Sequence, residues 1–447
     1  MEHVSVNYEK NLGKVKPMHA VNNGPAGKSV RKSCNNFNAF REAHIPYVRN
    51  HDASFFSGYG GEHTVDVHRI FENFDADPEK EENYDFRMTD SYLQDIQSVG
   101  AECFYRLGSR IEHEVKKVGT VPPKDFKKWA VICEHIIRHY NEGWANGFHM
   151  NIQYWEIWNE PDGVNDDGTA PNWQGTREEF KELFVITLEH LKKCFPNLKI
   201  GGPALTSAEP DDYINMLLDE VKLRGLTLDF FSYHYYLKTP QVFAQSAEKM
   251  RRVLDSKGFN NTEIIVNEWN YVKGWLGDDW HYTLKTERNL KGASFTAASM
   301  CTAHKSPMDM FMYYDARPCT MNGMFSETFY EPLKGYYPFQ MFGDMYLMNN
   351  AAESESECGD IYSFAARSEN EAGVMLTYYL DEDSAPEKDI DVGFSGLPAN
   401  ARVKADVYIL DENNDMELAK TEYFSCGSFT MYLKMKLFTT YYIKFSF

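Results

Sequence analysis

Two hydrophobic patterns follow one another along the chain. Up to about residue 344, short apolar runs typical of buried strands alternate with longer segments in which apolar residues recur every three or four positions, as in amphipathic helices. Strict alternation of strands and helices implies parallel pairing, and eight strands suffice to close a sheet on itself. The pattern therefore predicts an α/β fold with a (β/α)8 (TIM) barrel. The eight predicted strands are residues 18–22, 47–50, 101–106, 151–158, 199–201, 228–233, 263–267 and 308–314.

The pattern changes near residue 344. From residue 361 onward the helical period is absent, and short strands with alternating apolar and polar residues are separated by clusters of turn-forming residues. This spacing predicts an antiparallel β-sandwich. The predicted organisation is a barrel over residues 15–344 and a C-terminal sandwich over residues 345–447, with residues 1–14 as a separate N-terminal strand.

Two of the predicted barrel strands end in the same dipeptide, Asn-Glu. The aromatic run 152–158 stops at Glu160-Pro161, and the apolar run 263–267 stops at Glu268. In a barrel of parallel strands, active sites are built at the carboxyl ends of the strands. Cleavage of a glycosidic bond requires at least two carboxylates, and these two strand ends supply them.

The Trp-Asn-Glu-Pro motif at residues 158–161, followed much later by the strand-end Glu268, resembles the large clan of retaining (β/α)8 glycoside hydrolases. In that clan the acid/base glutamate follows an asparagine at the end of strand 4, and the nucleophile glutamate ends strand 7. More narrowly, the chain resembles glycoside hydrolase family 39, the family of β-xylosidases and α-L-iduronidases, over about residues 15–338. The narrower resemblance rests on Trp173 and on residues 176–184, 197–204 and 228–236. It also implies that the strand of residues 1–14 can join the C-terminal sandwich.

The resemblance gives the two glutamates their roles, with Glu160 as the acid/base and Glu268 as the nucleophile. Glu160 must be protonated and Glu268 ionised when the substrate binds, because cleavage needs a proton on the leaving oxygen and a carboxylate at the anomeric carbon. Asn159 is expected to hydrogen-bond the 2-hydroxyl of the sugar. By resemblance to a His-x-Tyr sequence of the clan, His234 lines the pocket and Tyr236 donates to the nucleophile. An ordinary aromatic strand end is the alternative for this pair.

The end of the second strand supplies three more candidates. His51 matches a histidine of the family at this strand and is expected to touch the terminal sugar. Arg49 can orient Glu268. Asp52 stands where the family usually has a small or apolar residue, so the identity of the sugar stays open and Asp52 is itself a candidate contact.

Two further candidates follow strands 7 and 8. Trp275 can form a platform on which a sugar ring stacks, as can Trp269, and a tryptophan packed in the core is the alternative for each. Arg317 stands where a uronate-binding site needs a cation. An ion pair with Asp315 that braces the loop is the alternative.

Charge and composition exclude several classes of protein. The net charge of −20 at pH 7 argues against nucleic acid and anionic membranes, which select basic surfaces. The chain has no run of 18 apolar residues and no signal-like N-terminus, so a cytoplasmic or periplasmic location is expected.

The eight cysteines form no C-x-x-C pair, and His135 and His139 are typical of one face of a helix. We therefore expect neither a metal nor a cofactor.

The predicted function is a retaining exo-glycoside hydrolase that acts on a glycoside or oligosaccharide by double displacement, in the manner of a β-xylosidase-like pentosidase. An α-L-arabinosidase and a uronic-acid glycosidase of the iduronidase type are alternatives on the same scaffold. The alternative of another class is a non-catalytic carbohydrate-binding protein on a barrel, against which the presence of both glutamates and Asn159 argues. A homo-oligomer is compatible with the sequence.

Overall fold

The computed structural model describes residues 2–28, 31–51, 65–112, 115–165, 167–399 and 402–447. Its strands are β1 (Glu2–Lys14), β2 (Ala20–Asn22), β3 (Gly27–Lys28), β4 (Arg31–Asn35), β5 (Tyr47–Arg49), β6 (Glu102–Leu107), β7 (Tyr154–Ile157), β8 (Lys199–Leu205), β9 (Phe230–Leu237), β10 (Glu263–Tyr271), β11 (Met310–Tyr313), β12 (Asn350–Ser356), β13 (Ile361–Arg367), β14 (Glu371–Tyr378), β15 (Lys388–Ser395), β16 (Val403–Leu410), β17 (Asp415–Phe424), β18 (Phe429–Met435) and β19 (Thr440–Ser446).

The α-helices lie mainly between the strands of the first three quarters of the chain. They are α1 (Phe37–Glu42), α2 (Val67–Ile70), α3 (Arg87–Ser98), α4 (Phe126–Glu142), α5 (Arg177–Cys194), α6 (Asp211–Leu223), α7 (Gln241–Lys257), α8 (Gly277–Glu287), α9 (Leu290–His304) and α10 (Tyr337–Met348). Among the residues described, no helix combines the length and the apolar character that crossing a membrane requires.

Eight parallel strands close into a barrel in the order β2, β5, β6, β7, β8, β9, β10 and β11. The barrel predicted from the hydrophobic pattern is confirmed. β9 and β10 run further than the pattern indicates, to Leu237 and Tyr271, because buried side chains such as Trp269 continue beyond the predicted strand end. Because β10 continues to Tyr271, Glu268 lies inside this strand rather than at its end, and the pairing of β10 with β9 shifts register between Val266 and Glu268.

Alternation along β7 explains how a charged residue enters the barrel. Tyr154 belongs to the buried cluster inside the barrel, whereas Trp155 and Ile157 pack outward against the helices. Successive side chains of a strand point to opposite faces of the sheet. Glu156 therefore points inward on the same face as Tyr154, and it is fully buried.

The second sheet has nine strands in the order β17, β16, β19, β14, β13, β12, β1, β15 and β18. The predicted antiparallel pairing of the C-terminal strands is confirmed. Among the described residues of this sheet, β1 and β15 form the one parallel pair, which arises because the N-terminal strand lies between β12 and β15. Val4, Val6 and Tyr8 of β1 are buried in the core of the sheet.

The sheet contacts the barrel through α9 and through the end of β10. Ser294 Oγ donates to the Tyr378 carbonyl at 2.8 Å. Tyr271 Oη donates to Asp381 Oδ1 at 2.8 Å, and Lys291 Nζ lies 3.1 Å from the same carboxylate. The strand that carries Glu268 is therefore braced from the sheet.

Candidate active site

Glu160 sits on a turn with an unusual backbone. β7 ends at Ile157, and Trp158 and Glu160 then have φ angles of 77° and 44°. Residues with a Cβ rarely adopt this left-handed conformation, which costs on the order of 1–3 kcal/mol and persists only where the surroundings impose it. The Trp158 N–H donates to the Leu107 carbonyl at 2.6 Å, and the Glu160 N–H donates to the Ala204 carbonyl at 2.8 Å. These bonds tie the turn to β6 and β8 and fix the direction of the Glu160 side chain.

Gly108, directly after β6, makes room for this turn. Its φ is +147°, and a Cβ at this position would lie 3.1 Å from Trp158 Cα. Both the backbone conformation and the close approach favour glycine. The position of the turn therefore depends on a residue in the neighbouring strand connection.

The carboxylates of Glu160 and Glu268 face each other beside His234. His234 Nδ1 lies 2.7 Å from Glu160 Oε1 and 3.5 Å from Glu268 Oε2. An oxygen of Glu160 and an oxygen of Glu268 lie within 4.8 Å of one another. The Glu160 side chain is 20% exposed and the Glu268 side chain 7%, so Glu160 stands nearer the opening of the site.

Four side chains surround the Glu268 carboxylate. Arg49 Nη1 donates to Oε1 at 2.7 Å, and Tyr236 Oη donates to Oε2 at 2.7 Å. His51 Nε2 lies 3.6 Å from Oε1, and His234 approaches Oε2. The two donors hold both oxygens, so the carboxylate has one orientation in the site.

Burial and charge act against each other at this carboxylate. Burial raises the pKa of Glu268 above its ordinary value, and the nearby Glu160 adds to this increase. His234, Arg49 and the hydrogen bond from Tyr236 lower the pKa and offset part of the effect. Burial also lowers the pKa of His234 to about 4, so its imidazole is neutral at neutral pH.

Arg49 connects the nucleophile candidate to the strand of the acid/base candidate. Its Nε donates to Glu156 Oε2 at 2.7 Å, and its Nη1 donates to Asn22 Oδ1 at 3.1 Å as well as to Glu268. Its Nη2 donates to Asn159 Oδ1 at 2.6 Å. The guanidinium is fully buried, and these partners balance its charge. One side chain therefore reaches three other strands of the barrel, β2, β7 and β10.

The sequence does not single out Glu156 or Asn172. Glu156 Oε1 accepts from Ser232 Oγ at 2.6 Å and from Asn267 Nδ2, which completes the support of Arg49. A charged residue that alternates with apolar ones inside a strand is a usable signal for such a position. Asn172 Nδ2 donates to Glu160 Oε2 at 3.0 Å from a loop, where no local pattern marks it.

His51 lies against Glu268, and a second buried arginine holds it. Arg106 Nε donates to His51 Nδ1 at 3.1 Å, which leaves Nε2 to carry the proton and to face Glu268. Arg106 Nη2 donates to the His51 carbonyl and to Asp66 Oδ1, each at 2.6 Å. Asp52 lies outside the residues that the structure describes.

The two predicted candidates after strands 7 and 8 differ in their surroundings. Trp275 is 53% exposed, and its ring centroid lies 5.1 Å from that of Tyr236. Trp269 is buried instead and stacks on a core phenylalanine, so the platform interpretation is wrong for it. Arg317 donates from Nε to Asp315 Oδ2 at 2.8 Å, and Asn23 donates to the same oxygen at 2.9 Å. This is the bracing pair that stood as the alternative to a uronate site.

Glu160, His234 and Glu268 are close enough together to hold a metal ion. Their surroundings do not suit a cation, because Arg49 places its positive charge 2.7 Å from Glu268. The chemistry that Glu160, His234 and Glu268 support is therefore that of paired carboxylates.

His139 lies elsewhere, on the helix face predicted from the sequence. Its two ring nitrogens contact the Trp144 carbonyl and Asp90 Oδ1.

Comparisons with solved structures agree with this architecture. A glucosidase from Croceicoccus marinus matches with a TM-score of 0.81 at 20% identity, over 100% of this chain and 99% of that one. A monomeric β-xylosidase from Caulobacter crescentus matches with a TM-score of 0.74 at 13% identity, over 100% and 99% of the two chains. At these identities the likeness concerns the fold.

Sequence comparisons give the family. A β-xylosidase from Caldicellulosiruptor saccharolyticus is 26% identical over 265 residues, which are 57% of this chain and 50% of the relative. A β-xylosidase from Geobacillus stearothermophilus is 23% identical over 230 residues, 45% of this chain and 44% of the relative. The match to this chain thus spans about half the length of these relatives or less. The family model of glycosyl hydrolases family 39 matches residues 3–283, and the chain belongs to that family.

Proposed function

We propose that this chain is a retaining exo-glycosidase that removes a terminal β-xylosyl residue by double displacement. The observation that carries the proposal is the short separation of the two carboxylates, whose oxygens approach within 4.8 Å. Retaining enzymes hold their carboxyl groups about 5–5.5 Å apart, whereas inverting enzymes need roughly 6.5–9.5 Å to admit a water molecule. The separation of Glu160 and Glu268 supports retention.

In the first step Glu268 attacks the anomeric carbon while Glu160 gives its proton to the leaving oxygen. Arg49 and Tyr236 hold both Glu268 oxygens, so the attacking carboxylate is oriented before substrate binds. Asn159 Oδ1 accepts from Arg49, which leaves the Asn159 Nδ2 as a donor for the 2-hydroxyl. That contact strengthens as the oxocarbenium-like transition state forms.

In the second step Glu160 takes a proton from a water molecule whose oxygen attacks the anomeric carbon, and the bond from that carbon to Glu268 breaks, which releases the Glu268 carboxylate. His234 is neutral at neutral pH, and its Nδ1 is the ring nitrogen that faces an acceptor, since its Nε2 has no hydrogen-bond partner among the residues that the structure describes. The Nδ1–H tautomer therefore stabilises the ionised form of Glu160 without adding a charge between the carboxylates.

The choice of a β-xyloside rests on the two relatives named above, each of which is a β-xylosidase. An α-L-arabinosidase remains the alternative on this scaffold. The uronate alternative loses its support because Asp315 already neutralises Arg317. A non-catalytic sugar-binding protein would have no use for an ion pair that orients Glu268.

Azide rescue of two variants tests both the activity and the roles. Glu160→Ala should slow hydrolysis most with poor leaving groups, which need the proton, and azide should restore turnover and give a glycosyl azide of retained configuration. Glu268→Ala should lose activity, and rescue there should give the inverted azide. NMR of the products assigns the configuration, with p-nitrophenyl β-D-xyloside and α-L-arabinoside as substrates.

Glu355→Ala is the matched control, because this glutamate lies in β12 of the second sheet and is largely exposed. It should behave as wild type. Reversed configurations of the two azide products would exchange the roles, and full activity of both variants would place the site elsewhere.

A further inference from the structure

Three side chains of the kinds that bind metal ions meet between α4 and α5, outside the barrel sheet. His190 and Cys194 are four positions apart in α5, so they lie on the same face of that helix, and Glu134 reaches them from α4. His190 Nε2 lies 2.6 Å from Glu134 Oε2 and 3.8 Å from Cys194 Sγ. One nitrogen, one oxygen and one sulfur atom thus lie within 4.8 Å of one another. We call these three residues the interhelical cluster.

The interhelical cluster converges on a single ring nitrogen. When a nucleophile, an imidazole and a carboxylate work as a proton relay, the nucleophile and the carboxylate engage opposite nitrogens of the ring. Here the thiol and the carboxylate both approach Nε2 of His190, so no relay through the ring connects them. A metal ion requires such convergence, because it replaces the proton on one nitrogen and draws the other ligands around itself. The geometry therefore favours metal binding over nucleophilic catalysis.

The distances within the cluster are close to those of a tetrahedral zinc site. Zinc lies about 2.0–2.1 Å from an imidazole nitrogen, about 2.3 Å from a thiolate and about 2.0–2.2 Å from a carboxylate oxygen. At tetrahedral angles the nitrogen is then about 3.6 Å from the sulfur and about 3.4 Å from the oxygen. The observed 3.8 Å between His190 and Cys194 differs from the first distance by only about 0.2 Å. Glu134 has to withdraw from its 2.6 Å contact by less than about 1 Å, which rotation of its side chain allows.

The charges around the interhelical cluster suit a divalent cation. Arg138 Nη2 lies 2.7 Å from Glu134 Oε1, which leaves Oε2 for the cluster, and Arg138 Nη1 pairs with Glu142. Because Glu142 balances the guanidinium, Glu134 and the thiolate of Cys194 supply two negative charges for the cation. Arg138 is also 32% exposed, so solvent screens its charge more than that of the buried guanidinium in the active site.

We propose that the interhelical cluster is a zinc site in which Glu134, His190 and Cys194 bind the ion and a water molecule completes the coordination. The side chains of Glu134 and His190 are 13% and 30% exposed, so water can reach the fourth position. A thiolate together with an imidazole selects zinc over magnesium and calcium, which prefer oxygen ligands. Sequence motifs do not reveal this site, because Glu134 and His190 are 56 positions apart.

The position of the zinc site indicates a role in stability. α4 precedes β7 and α5 follows it, so the ion joins the two helices that flank this strand in the chain. Cys194 ends α5 shortly before β8 begins at Lys199, which places the site toward the amino ends of the barrel strands, away from Glu160. Bound zinc should therefore raise the free energy of unfolding and leave the catalytic rate unchanged.

Cobalt(II) tests the site, because it adopts the tetrahedral coordination of zinc and its bond to a thiolate gives a charge-transfer band in the near ultraviolet. The metal-free, reduced chain should bind one equivalent of Co²⁺ with this band, and Zn²⁺ should displace it. Cys194→Ser should abolish the band and weaken Zn²⁺ binding by about 100-fold or more, since even the partners of metal ligands account for about 10- to 100-fold. His190→Ala should weaken binding similarly. The second group with this spacing, Glu160, His234 and Glu268, has no sulfur and cannot give the band.

Cys426→Ser is the matched control, because Cys426 is an exposed cysteine that follows β17 in the second sheet, and this variant should keep both the band and the affinity. Thermal unfolding gives a second readout. Zn²⁺ should raise the unfolding temperature of wild type and of Cys426→Ser and leave that of Cys194→Ser unchanged. A band that persists in Cys194→Ser would overturn the proposal, as would Zn²⁺ binding that is absent or that none of the three residues affects. None of these measurements needs turnover, so they decide the zinc site even if the chain hydrolyses no β-xyloside.

Discussion

At the scale of single residues, the hydrogen bond from Tyr236 to Glu268 has a predictable effect on rate and on pH dependence. Tyr236→Phe removes a bond to a charged group, which costs about 1.5–3 kcal/mol, so kcat/KM should fall about 10- to 100-fold. The bond lowers the pKa of Glu268, and its loss raises that pKa further. The acid limb of the kcat/KM profile should therefore move to higher pH, as measured with an aryl xyloside.

Tyr235, the residue before Tyr236 in β9, supplies the matched control. Tyr235 points away from Glu268 and donates instead to Glu209 at 2.9 Å. Tyr235→Phe removes a similar bond and should leave both the rate and the acid limb close to wild type. An acid limb that stays in place for Tyr236→Phe would show that Glu268 is not the group that must be ionised.

At the scale of elements, the contact of the β6 connection with the turn after β7 links packing to catalysis. Gly108→Ala would push a Cβ to 3.1 Å from Trp158 Cα and move the turn that carries Glu160. We expect kcat to fall by about tenfold or more, because small displacements of a catalytic group lose much of the rate. Steady-state kinetics and thermal unfolding on the same sample measure the two effects.

Gly100→Ala separates backbone strain from crowding. Gly100 has a φ of +83°, and nothing lies within 4 Å of a Cβ built there. This variant should lose about 1 kcal/mol of stability from the backbone conformation and keep its kcat. If both variants lose kcat equally, the position of the turn does not control Glu160.

The barrel strands could be predicted from the sequence because a pattern of neighbouring residues marks each of them. Apolar runs of strand length, separated by helical periods, predict all eight barrel strands, and the repeated Asn-Glu picks out Glu160 and Glu268. The support of Arg49 by Glu156 joins residues 107 positions apart, and no window of sequence contains both. The register shift before Glu268 cannot be predicted from the sequence either, because it depends on how β10 pairs with β9. For Arg317 the sequence left two roles open, a contact with a uronate and an ion pair with Asp315. The position of Asp315 in the structure favours the ion pair.

At the scale of the whole molecule, β1 holds the second sheet together. It pairs with β12 on one side and with β15 on the other, so removing it would divide the remaining eight strands into groups of six and two and expose two edges. Deletion of residues 2–14 should lower the unfolding temperature and cause aggregation. A synthetic peptide of those residues should restore the sheet when it is added during refolding.

Point variants in β1 refine this expectation. Val6 is buried in the core of the sheet, and Val6→Asp should reproduce much of the effect of the deletion. Leu12, in the same strand but exposed, gives the control Leu12→Ala, which should unfold as wild type does. Equal stability of all three proteins would show that β1 is dispensable.

We also propose that the chain is organised as a barrel, residues 15–344, and a supporting domain, residues 345–447.

The buried guanidinium of Arg49 bears on how this scaffold can change. Its partners Asn22, Asn159, Glu156 and Glu268 all belong to barrel strands or their immediate ends, and none belongs to a long loop. The reactive geometry thus depends on the barrel strands and not on the surrounding loops. Loop exchange or directed evolution at the rim can therefore explore new sugars without rebuilding the reaction centre.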